Sequence, residues 1–186
     1  MKHEHVGKMI IVICLGACLA GQAAEMDVNG TAEAKISSAY IWRGQVLNEE
    51  AVIQPSLTLD LGPYFTAIVW GTWDLTDQAG TWSRSRVDTT VLCTGSSGKN
   101  IFKSGVVAYI YHDSSFSQNQ DTFEIFAGYT LDVVSLPSFR VYYDLGDVEG
   151  LFATVSFAHS FELVKEKTAL DFRVAVNGAD EKYTQA

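Results

Sequence analysis

Proline occurs only three times in 186 residues, and of the three cysteines two, Cys14 and Cys18, fall within the first two dozen positions. Beyond that leader Cys93 is the lone thiol, so neither an internal disulfide of the mature chain nor a multi-cysteine metal site is expected. No histidine stands near Cys93 in sequence, and a small apolar strand residue is the simpler reading of it than a nucleophile. Basic residues are also scarce, 13 against 22 acidic, for a net charge of −9. That balance makes nucleic acid an improbable partner, because affinity there comes from neutralising phosphates. Sustained helical periodicity is missing as well. The chain is nonetheless 47% hydrophobic and 12% aromatic, which is too rich for disorder and sufficient for one domain or one small barrel.

The leader itself places Lys2 and Lys8 before an apolar run from Met9 to Ala20, followed by Gly21, Ala23 and Ala24. This reads as a Sec signal peptide over residues 1–24, with an apolar run too short to span a bilayer. A rival reading takes Leu15, Gly16, Ala17 and Cys18 as a lipoprotein box that would leave Cys18 lipidated. Residues 25–186 then form the exported domain, with 11 basic and 21 acidic residues and a net charge of −10.

In that domain, runs of about ten residues alternate apolar and polar positions and are separated by turn chemistry. In TAEAKISSAYIWR, residues 31–43, Ala32, Ala34, Ile36, Tyr40 and Trp42 share one parity, and Thr31, Glu33, Lys35 and Arg43 the other. In VIQPSLTLDL, Val52 to Leu61, Ile53, Leu57, Leu59 and Leu61 oppose Gln54, Ser56, Thr58 and Asp60. Pro55 would lose a ladder bond there, so it is expected at a bulge or a strand end. Further strands are predicted over Tyr64–Asp74, Arg86–Thr94, Ile101–His112, Thr122–Thr130, Ser138–Asp144, Leu151–Phe161 and Thr168–Asn177.

About nine strands result, several long enough to cross hydrocarbon when tilted. Short connections at Gly62-Pro63, Gly95–Asn100 and Leu163–Lys167 alternate with longer polar ones at Leu75–Ser85 and Asp113–Asp121. Short turns on one side and longer loops on the other are the layout of an antiparallel up-and-down transmembrane β-barrel of the outer membrane. An aromatic girdle is expected at the long-loop end from Tyr40, Trp42, Trp70, Trp73, Tyr109, Tyr111, Tyr142 and Tyr143. Tyr64, Phe65, Phe102, Tyr129, Phe139 and Phe161 would form a second belt at the short-turn end. Charges at mid-depth cost about 2–4 kcal/mol when a Lys or Arg faces lipid, so Lys35, Arg43, Asp60, Asp88, Glu124, Arg140 and Asp144 are expected to face inward. There they would line a pore or plug it with ion pairs. Trp42 and Arg43, being of opposite parity in one strand, are not expected to share a pocket.

The succession SSAYIWRGQ, QPSLTLDLG, FTAIVWGTWD, RVDTTVLCTG, VVAYIYHD, TFEIFAGY and FRVYYD resembles the TorF-family porins, a group of exported bacterial proteins. The shared features are Arg43-Gly44 after an aromatic-rich first strand, Gly71 and Trp73 as a Gly-x-Trp, Asp88 opening the next strand, and Tyr109 with Tyr111 before a loop. The resemblance covers Ala34 to about Phe161. It implies an outer-membrane barrel, folded by the barrel assembly machinery, that passes small solutes; it carries no catalytic signature and no cofactor. An even strand count is usual for such barrels, and the chain stops at GADEKYTQA without a terminal aromatic strand, so ten to twelve strands are expected when it is complete.

Two other classes compete with passive diffusion. A soluble or lipid-tethered periplasmic barrel that binds an apolar ligand would turn its apolar parity inward. A lipid-modifying enzyme would need His159, Ser160 and Glu162 to converge, although strand alternation puts His159 and Ser160 on opposite faces. The Gly-x-Trp resembles that of lipocalins but ends the third strand, not the first. His112-Asp113 lacks further metal ligands nearby, and Asn29-Gly30-Thr31 matches a glycosylation sequon by chance.

Overall fold

A computed structural model describes residues 27–76, 86–111, 121–146, 148–164 and 167–185. The leader, His112-Asp113 and most of both long loops lie outside the described residues. Nine strands form one antiparallel sheet: β1 Val28–Ser37, β4 Val52–Leu61, β5 Phe65–Asp74, β6 Arg86–Ser97, β7 Asn100–Tyr111, β8 Thr122–Leu131, β9 Ser138–Asp144, β10 Leu151–Val164 and β11 Thr168–Ala179. Their spatial order is their chain order, and every neighbouring pair is antiparallel. A separate hairpin, β2 Tyr40–Trp42 and β3 Gln45–Asn48, is inserted between β1 and β4. A short helix, α1 Glu181–Gln185, follows β11. The fold is thus all-β and up-and-down, as the alternation and turn spacing predict.

Two expectations about the strands need correction. The run from Thr31 to Arg43 is not one strand, because the chain bends at Ser38-Ala39 and starts the hairpin at Tyr40. Trp42 opposes Gln45 across a two-residue loop, with Arg43 at φ 52° and Gly44 at φ 88°. Two consecutive left-handed residues make the primed turn whose twist suits a tight hairpin, and glycine takes the second place at little cost. Pro55, for its part, sits inside β4, opposite Ala34 of β1. The pairing of β4 with β5 passes from Ile53↔Trp73 to Ser56↔Trp70 in unchanged register, so the missing N–H interrupts one ladder without a bulge.

Residues directly opposite in register share a face, so pairing sorts every strand residue. One face carries Ile36, Leu57, Val69, Val91, Val106, Ile110, Phe123, Tyr143, Val155, Phe157, Val174 and Val176, all of them exposed, with Ile36 and Val176 each at 71%. No Asp, Glu, Lys or Arg of the nine strands stands on this face. The other face holds the strand charges, among them Glu33, Lys35, Asp60, Asp74, Arg86, Asp88, Lys103, Glu124, Arg140, Asp144, Asp171 and Arg173.

That polar face is concave. Strands lie about 4.8 Å apart, which would set β6 and β11 roughly 24 Å apart in a flat sheet. Yet Asp88 and Thr90 of β6 and Asn177 of β11 line one cavity of about 350 Å³, a space far narrower than that separation. A rolled sheet with the polar face inside brings these strands together. The sheet order ends on β1 and β11, whose residues are exposed along almost their whole length.

Candidate functional site: an arginine cluster on the polar face

All the long connections lie at one end of the sheet, and there the β2–β3 hairpin folds back onto the concave face. Its tip delivers Arg43. The left-handed turn explains why Trp42 and Arg43 meet the same neighbours: parity governs extended backbone and lapses where the chain reverses. Arg43 Nη1 donates to Glu124 Oε1 at 2.8 Å, and Nη2 donates to Glu124 Oε2 at 2.7 Å, a two-pronged ion pair. Nη2 also donates to Tyr109 Oη at 3.3 Å. Guanidinium faces pack on aromatic rings, with Trp42, Tyr142 and Phe152 at 4.4, 4.4 and 4.3 Å and Tyr183 at 5.2 Å.

Glu124 is the hub of the cluster. Only 1% of it is exposed. Besides Arg43, its Oε2 accepts from Tyr109 Oη at 2.7 Å and its Oε1 from Tyr183 Oη at 2.9 Å. Four hydrogen bonds on two oxygens satisfy a buried carboxylate without residual need. Tyr183 arrives on α1, which Asp180 fixes: its Oδ1 accepts from Tyr183 N and its Oδ2 from Leu151 N, both at 2.9 Å. The hairpin and the helix therefore converge on one side chain of β8.

A second arginine stands beside the first. Arg86 opens β6 and faces Asp88 two residues on, Nε to Oδ1 at 2.8 Å and Nη2 to Oδ2 at 2.8 Å. Its Cζ lies 4.8 Å from the Trp42 ring and 5.0 Å from Tyr109, with Tyr40, Trp70 and Tyr111 at 5.4–5.7 Å. Tyr40 Oη and Thr72 Oγ1, both near this guanidinium, are buried with no hydrogen-bond partner among the described residues. Asp144, also buried, accepts from Thr122 Oγ1 and from the backbone N–H groups of Gly146 and Val148. It therefore organises the β9–β10 connection. Deeper along the concave face lies a cavity of about 350 Å³, lined by Trp42, Arg43, Asp88, Thr90, Val107, Tyr109, Tyr142, Phe152, Thr154 and Asn177.

The expected inward residues Lys35, Arg43, Asp60, Asp88, Glu124, Arg140 and Asp144 do share the polar side of the molecule. Arg43, Asp88, Glu124 and Asp144 meet in or beside the cluster, whereas Lys35, Asp60 and Arg140 lie elsewhere on that face. Arg140 donates to Tyr142 Oη at 3.1 Å, and Asp60 accepts from Thr66 Oγ1 at 2.8 Å.

The aromatic girdle at the long-loop end needs correction. Tyr40, Trp42, Trp70, Tyr109, Tyr111 and Tyr142 point to the concave face around the two arginines, and only Trp73 and Tyr143 stand on the apolar face. Strand parity sets the rings of Trp70, Tyr109, Tyr111 and Tyr142 on that face and the hairpin brings Tyr40 and Trp42 to it, each within about 6 Å of Arg43 or Arg86. Gly71 makes room for Trp73, whose ring lies where a Cβ at Gly71 would stand. At the short-turn end Phe65, Phe102, Tyr129, Phe139 and Phe161 do face outward, with Phe102 against Tyr129 at 5.3 Å and Phe161 against Phe172 at 5.7 Å.

Sequence reasoning missed Arg86, Phe152 and Tyr183. The Arg-x-Asp spacing of Arg86 and Asp88 within one strand was a usable signal, since two residues apart share a face. Nothing in GADEKYTQA signalled that Tyr183 would reach Glu124. His159 and Ser160 occupy opposite faces, and His159 Nδ1 lies 2.7 Å from the Val134 carbonyl oxygen. Cys93 stands on the apolar face of β6, opposite Phe65 of β5 and Ser104 of β7. No family model, curated protein or solved structure matches this chain.

Proposed function

We propose that this chain is an outer-membrane β-barrel of the porin type, passing small polar solutes or ions through a polar lumen that the hairpin and helix close at the long-loop end. The observation that carries this reading is the inside-out distribution of polarity. An apolar, charge-free face is exposed across nine strands, while the strand charges gather on the concave side. In water such a surface would aggregate; in hydrocarbon it is the surface with the lowest cost. A soluble ligand-binding barrel requires the reverse arrangement. The outward aromatics of the short-turn end suit a membrane interface, and the resemblance to TorF-family porins points the same way.

The lumen is not a uniformly open pipe in this reading. Arg43, Arg86, Glu124 and Asp88 pair with one another among aromatic rings, so the long-loop end forms a plug and conduction requires it to move. Planar-bilayer recording of the full chain tests the proposal. Rare, brief conductance steps are expected from the native protein and longer openings from Glu124→Gln. No steps from either protein would remove the channel reading, and recovery of the chain in the soluble periplasm would remove the membrane assignment.

A further inference from the structure

The head group of Arg43 is a guest in a site built largely by the rest of the chain. Glu124, Tyr109, Tyr142, Phe152 and Tyr183 come from β8, β7, β9, β10 and α1, and only Trp42 belongs to the hairpin that carries the arginine. The host offers two coplanar carboxylate oxygens at 2.7 and 2.8 Å, with ring faces at 4.3–4.4 Å. A forked oxygen pair between aromatic planes matches a flat, delocalised, weakly hydrated cation far better than a compact ammonium. Arg43 also forms part of the wall of the 350 Å³ cavity, a volume within the small-molecule range, so an incoming solute can lie directly beside the group it would replace.

We propose that this cage is a recognition site for guanidinium-bearing solutes, and that Arg43 is its tethered occupant, whose displacement frees the β2–β3 hairpin. The proposal names the solute class for the lumen and rests on the porin reading only in taking that lumen to be open to solute. With the hairpin away, Glu124 would remain buried and unpaired, a costly state that an incoming guanidinium relieves. The tether gives Arg43 a high effective concentration, so competition in the native protein needs solute in the upper millimolar range.

The test uses the full chain in detergent micelles. For Arg43→Ala, millimolar guanidinium chloride should raise the melting temperature by about 2–4 °C, while equal ammonium or sodium chloride should not, and adding Glu124→Gln should abolish the effect. In the native protein, free arginine should speed amide exchange of residues 40–48 severalfold over an equal concentration of free lysine. That second arm remains decisive even where Arg43→Ala does not fold. Equal responses to guanidinium and ammonium in the variant, or equal exchange in arginine and lysine in the native chain, would overturn the proposal. Bilayer conductance separates the two readings: a conducting protein indifferent to arginine loses the cage alone, and a silent protein that still prefers arginine loses the channel alone.

Discussion

At the scale of the residue, the feature that organises the site is a carboxylate with no remaining capacity. Glu124 receives both prongs of Arg43 and two phenols while 1% exposed. Removing one member of such a pair leaves the other buried and uncompensated. Arg43→Ala and Glu124→Ala should each therefore destabilise the folded chain by on the order of 3 kcal/mol, and the double substitution by clearly less than the sum. Urea titration followed by tryptophan fluorescence measures all three, and a strictly additive double variant would mean that the pair is not coupled. Glu124 and Arg43 were both legible in sequence as inward charges, because strand charges avoided the apolar parity. Their meeting was not legible. It depends on a reversal at Arg43-Gly44 that period-two reading carries straight through.

At the scale of the element, the β2–β3 hairpin is the unit that sequence pattern misassigned. Tyr40 and Trp42 continue the even parity of Ala32, Ala34 and Ile36, so alternation alone carries β1 on to Arg43, six residues beyond its end at Ser37. The better signal was a residue followed by glycine between Tyr40–Trp42 and Gln45–Asn48, a two-residue turn with both φ angles positive. Where alternation met no such reversal it placed strands well: β4 and β9 run as expected from Val52 to Leu61 and from Ser138 to Asp144. Gly44→Ala tests the turn. A Cβ at φ 88° is strained although no atom crowds it, so the hairpin should lose about 1 kcal/mol, read as faster amide exchange over residues 40–48. Unchanged exchange there would show that the cage, not the turn, holds the hairpin.

At the scale of the whole molecule, polarity is sorted by face, and this much is readable in the sequence from the parity of its charges. It yields a paired prediction. Val106→Lys, in the middle of the apolar face, should cost about 2–4 kcal/mol in a bilayer and reduce outer-membrane assembly, whereas Thr90→Lys on the concave face should assemble normally. Quantifying heat-modifiable protein in outer-membrane fractions compares them, and equal assembly of both would count against a lipid-facing surface. What sequence could not convey is how the ends of the sheet relate. With nine strands alternating in direction, β1 and β11 run the same way. Any ladder joining them directly is parallel, with the slanted and somewhat weaker bonds of that arrangement. Under mechanical load the weak places are therefore the two end strands, each of which has a ladder on one side only, and the sheet peels from them hairpin by hairpin, because its strands are neighbours in the same order along the chain.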